Sequence, residues 1–67
     1  MSLYRCYFRD QKGMQIGWEP IRSKTDAEAR KLAARMLRER SDIRRLDAWR
    51  EADLAFHLSR FDVSTEA

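Results

Sequence analysis

The chain has 67 residues, 14 of them basic and 11 acidic for a formal net charge of +3, with one cysteine, one histidine and two glycines. So short a chain buries only about 60% of its unfolded surface, yet the lone Cys6 excludes an internal disulfide and, even with His57, falls short of a closed structural metal site. Self-association is the remaining usual route to stability, so a homodimer is expected, with no cofactor and no metal.

The residues from Leu3 to Arg9 alternate as a strand does, with Tyr4, Cys6 and Phe8 on the predicted core face and Arg5, Tyr7 and Arg9 opposite. The polar Asp10-Gln11-Lys12-Gly13 ends in a glycine able to take positive φ. Extended residues from Met14 to Trp18 follow, which predicts a β-hairpin with Ile16 and Trp18 inward. Pro20 offers no N–H, so the second strand is expected to end near Glu19 or to continue as an edge with a bulge before Ile21.

Thr25-Asp26-Ala27-Glu28 is a capping box, in which the threonine hydroxyl accepts from the Glu28 amide and the glutamate reaches back. From there Ala29, Leu32, Ala33, Met36 and Leu37 form one apolar stripe, predicting a helix over about 26–40. Asp26 stands four residues before Arg30, and Arg38 and Arg40 complement the negative end of the helix dipole.

Beyond Ser41 two readings compete. Ser41 can cap a second helix through Ile43, Leu46 and Trp49, while Leu46/Ala48 and Leu54/Phe56/Leu58 alternate with period two. Strands are the reading adopted, because Leu54, Phe56 and Leu58 then face one core with Asp53, Ala55 and His57 outward. Glu51-Ala52 forms the turn, although it lacks glycine and asparagine. Phe61 is expected to be able to pack, and residues 62–67 to fray. The prediction is a single α+β domain over 1–67 in the order β-β-α-β-β, one helix on one face of an antiparallel sheet. A right-handed crossover gives strand order 2-1-3-4.

The opening Leu3-Tyr4-Arg5-Cys6-Tyr7-Phe8, the Thr25-Asp26-Ala27-Glu28-Ala29 helix entry and Leu46-Asp47-Ala48-Trp49 before the last apolar strand together resemble a group of short, uncharacterised proteobacterial proteins. The resemblance covers nearly the whole chain and implies a bacterial protein with this element order. It brings no assigned activity or site. Arg50-Glu51-Ala52 stands where that group usually has an Asp-Gly type of turn. A looser similarity, of the hairpin and the Thr-x-x-Glu-Ala helix, is to the partial RNase H-type module of bacterial antitoxins, although this chain lacks the DNA-binding segment often appended there.

No apolar run approaches the ~20 residues of a bilayer span, and the opening residues carry no apolar leader region, so a cytoplasmic protein without a membrane partner is expected. Cys6 and His57 are the only conceivable nucleophile and base, and strand parity places them on opposite faces. Gly13 and Gly17 fit no phosphate-loop fingerprint, a sheet with one helix offers little cleft for paired carboxylates, and Met14, Met36 and the leucines are needed to fill the core. Enzyme activity is not expected.

Eleven of the fourteen basic residues are arginine, which forks onto phosphate and carboxylate, though GC-rich coding DNA produces the same bias. One helix covers one face of a sheet. The other should present Arg5, Tyr7, Arg9, Trp49 and His57, with Gln15 and Glu19 beside them, as a partner surface. Such a face suits a symmetric protein interface, the leading expectation, or the stacking of unpaired nucleic-acid bases, the alternative; neighbouring arginine stems covering the aromatics would require neither. Arg35, Arg38, Arg40, Arg44 and Arg45 around the helix end are a second basic segment, read as a solvated surface with a phosphate patch as the minority view.

Overall fold

In the structure, a computed structural model that describes residues 1–61, β1 (Ser2–Arg9), β2 (Gln15–Ser23), α1 (Asp26–Glu39), β3 (Arg45–Arg50) and β4 (Asp53–Ser59) follow in that order. The strands form one sheet in the order β2-β1-β3-β4, with every neighbouring pair antiparallel and α1 on one face. This is the predicted α+β architecture and strand order.

Each connection follows from local chemistry. Asp10 closes the first turn, its carboxylate accepting from the amides of Lys12 and Met14 at 2.9 and 3.0 Å, and Gly13 takes φ 84°. Thr25 caps α1 by accepting from the Glu28 amide at 3.1 Å. The β3–β4 turn is Glu51-Ala52 as expected, with Glu51 itself in the left-handed region at φ 58°.

Tyr4, Cys6 and Phe8 of β1 pack with Ile21, Leu46, Ala48 and Leu58 from the other strands. Against them lie Ala29, Ala33, Ala34 and Leu37 of α1, and Ile43 closes one end. Three alanines at the contact let the helix sit close to the sheet, giving a body of 30 × 26 × 16 Å.

Two polar clusters tie the helix ends down. Tyr4 donates its hydroxyl to Asp26, which also receives Arg50 Nη1 at 2.7 Å. The Asp26 bond, followed by burial, pushes the Tyr4 phenol above its usual range, and Tyr4 in turn raises Arg50. At the other end the Arg60 guanidinium donates to the carbonyls of Leu37, Arg40 and Ile43.

Four details depart from the sequence reading. β2 runs straight through Pro20, which pairs with Arg5, and the irregularity lies instead between Phe8/Arg9 and Gly17/Gln15. Trp18 therefore points away from the helix and is 51% exposed, Ile16 is also exposed, and the Phe8 ring covers Gly17 where an inward side chain would sit. A second bulge makes Ala55 an extra residue in β4, so Trp49 pairs with Leu54 while Ala48 pairs with Phe56. Leu54 is thereby moved off the core face, and Ala55, expected outward, packs against the core. Met14, expected to fill the core, is exposed, whereas Met36 packs against it. Phe61 is exposed; the fraying expected for 62–67 lies outside the described residues.

Candidate functional site: the open sheet face

Strand register arranges the uncovered face in rows. One row crosses the sheet as Pro20, Arg5, Trp49 and Leu54, and the next as Trp18, Tyr7, Asp47 and His57. Arg9, Arg45 and Ser59 make a third, and Arg22 with Leu3 lies at the opposite end. Neighbouring positions along a row are about 5 Å apart and rows about 7 Å apart.

All five residues expected on this face, Arg5, Tyr7, Arg9, Trp49 and His57, are there. Glu19 is not: it pairs with Cys6 and so lies on the helix side of the exposed edge, while Gln15 does pair with Arg9. Trp18, Leu54, Leu3 and Asp47 are additions that the sequence reading missed. Tyr7 and Trp18 stack with centroids 6.1 Å apart at 30°. Trp49, Leu54 and Leu3 are 37%, 46% and 42% exposed, so these apolar side chains stand open rather than lying under arginine stems.

The charge is as uneven as the hydrophobicity. Among the described residues, Arg5, Arg9, Arg22 and Arg45 and the single acid Asp47 occupy this face. Their formal charges sum to +3, while the other described residues carry ten basic and eight acidic side chains. Asp47 is clamped by Arg9 Nε at 3.4 Å and Arg45 Nε at 3.0 Å, its own side chain 14% exposed.

The basic segment at the helix end does not converge. Arg45 belongs to the open face, Arg40 lies over the Phe8 ring at 5.0 Å and binds Asp42 at 3.2 Å, and Arg35 and Arg38 lie along exposed helix surface. The Arg40 bond holds the Asp42 carboxyl below its usual range. Arg44 lines a groove between the β1–β2 turn and the α1–β3 loop, in which Lys12, Arg44 and Arg60 alternate with Asp10 and Asp42. There Asp10 Oδ1 accepts from the amides of Lys12 and Met14, and Arg60 Nη2 donates to the carbonyls of Leu37 and Ile43.

Cys6 is fully buried, and burial pushes its thiol up to about 12; His57 is exposed on the other side of the sheet. The two cannot form a nucleophile–base pair. Among the described residues no three His, Cys, Asp or Glu side chains are grouped to hold a metal ion, and no helix is long and apolar enough to cross a membrane. No protein-family model, curated protein or solved structure matches the chain.

Proposed function

We propose that the protein is a non-enzymatic binding module whose open sheet face takes up single-stranded nucleic acid. The observation that carries this reading is the meeting, on one face, of the exposed Trp18 and Trp49 rings with four arginines and a formal charge of +3. Tyr7, Trp18 and Trp49 offer π-faces to unpaired bases, and the arginines around them neutralise phosphates. Nothing in this mechanism requires catalysis.

Self-association across the same face is the second reading, and the open Leu3, Trp49 and Leu54 favour it. Charge counts against it. A two-fold, face-to-face dimer sets one +3 surface against another, whereas a polyanion is complementary to it.

Size-exclusion chromatography with light scattering, at low and high salt, with and without a mixed-sequence RNA octamer, separates the two. A monomer that comigrates with RNA only at low salt supports nucleic-acid binding. A salt-insensitive dimer that ignores RNA overturns it. The logarithm of the binding constant should fall against log salt with a slope of about −2 to −3 if three or four arginines each meet a phosphate. Trp18→Ala and Trp49→Ala should each weaken binding by roughly tenfold, in line with the loss of one stacked base.

A further inference from the structure

Among the described residues Asp47 is the one acid on a face otherwise charged by arginine, and phosphate binding gives it no role. In register it lies between Tyr7 on β1 and His57 on β4. Its carboxylate is fixed from two sides by Arg9 and Arg45, whose own side chains are 43% and 50% exposed. A carboxylate has no proton to donate to a phosphate, whereas the flanking rows do offer donors, Arg5 in one and Arg9 and Arg45 in the other. The middle row, Trp18-Tyr7-Asp47-His57, is thereby left for a base.

A base lying on Tyr7 directs its edge across about one strand spacing toward Asp47. A carboxylate accepts hydrogen bonds and does not donate them, so it pairs with an exocyclic amino group such as N4 of cytosine and opposes the O4 carbonyl that uracil presents at the same place. We infer that Asp47 is a specificity-determining residue that makes the open face select bases bearing an amino group, cytosine over uracil among the pyrimidines. The inference rests on the nucleic-acid reading above and adds to it which base the site accepts.

Tryptophan fluorescence titrations at low salt with three RNA octamers test it: oligocytidine, oligouridine, and an octamer of N4,N4-dimethylcytidine, which keeps the ring of cytosine and lacks the amino protons. The cytidine octamer should bind about fivefold or more tighter than the other two, a modest ratio because the contact is a single edge contact rather than a bidentate pair. Asp47→Asn, whose amide both accepts and donates, should bring cytidine and uridine octamers within twofold of each other. Equal binding of the three by the natural protein, or full discrimination retained by Asp47→Asn, overturns the assignment while leaving nucleic-acid binding intact. Failure of all three octamers to bind overturns the nucleic-acid reading and this inference with it. The comparison of the three octamers needs no variant, so it stands even if Asp47→Asn folds poorly.

Discussion

Replacing Arg60 should cost the fold more than any other substitution of a partly exposed charged residue. Its Nη2 donates at 2.8 Å to both Leu37 O and Ile43 O and also to Arg40 O, and its Nε reaches Ile43 O at 3.2 Å. Leu37 and Arg40 carry carbonyls at the end of α1 that have no partner further along the helix. Hydrogen bonds from charged donors are worth about 1.5–3 kcal/mol each, but water reaches this partly buried site once the side chain is gone, so about 1 kcal/mol per carbonyl is a fair allowance. Arg60→Ala should therefore lose about 3 kcal/mol, set against roughly 3–5 kcal/mol for a single core of this size. Arg60→Lys keeps the charge and loses the planar fork, and should lose about half as much. Urea titration followed by circular dichroism at 222 nm reads both, and with a slope near 1 kcal/mol per molar the alanine midpoint should fall by about 3 M. A loss below about 0.5 kcal/mol for Arg60→Ala, or a lysine variant as stable as the natural protein, would refute the reasoning.

Cys6 should resist thiol reagents at pH 8 in the folded protein and react promptly in urea, since burial pushes its thiol up to about 12. The same shift makes a stability prediction: the folded state holds the proton more tightly, so this stabilisation is complete below about pH 9 and is lost as pH rises toward 12. Cys6→Ala should flatten that part of the alkaline unfolding curve, and an unchanged curve would contradict it. Glu51→Gly should raise stability by about 0.5 kcal/mol, because glycine adopts the turn's positive φ without steric cost, and a valine there should lower it; the urea midpoints of the two variants check both signs.

The element order, the helix limits to within a residue and the five expected face residues could all be read from parity and capping, because each rests on local spacing. The errors arose where two registers compete. Ile21 and Trp18 are three residues apart, so an unbroken strand can bury only one of them, and it is Ile21 that is buried; an end near Glu19 or a bulge before Ile21 would have removed that conflict. In the last hairpin, the Glu51-Ala52 turn pairs Trp49 with Leu54, while pairing Leu46 with Leu58 in the core needs a register one residue out of step. Only an extra residue reconciles the two, and Ala55 is that residue. Asp47 escaped notice for another reason. A lone acid between a leucine and an alanine carries no motif, and its place at the centre of an arginine-bearing face emerges only when β1, β3 and β4 are laid side by side.

The alanine contact between α1 and the sheet also decides where the molecule can change. With Ala29 and Ala33 at 0% exposure and Ala34 at 2%, that seam admits no larger side chain without lifting the helix from the strands. The other side of the same strands has no such ceiling, since residues there project into solvent and can be exchanged for others of different size or charge. Alternate positions along each strand are thus under different rules. One set holds the domain together, and the other can be rewritten for a new ligand while the scaffold beneath it stays as it is.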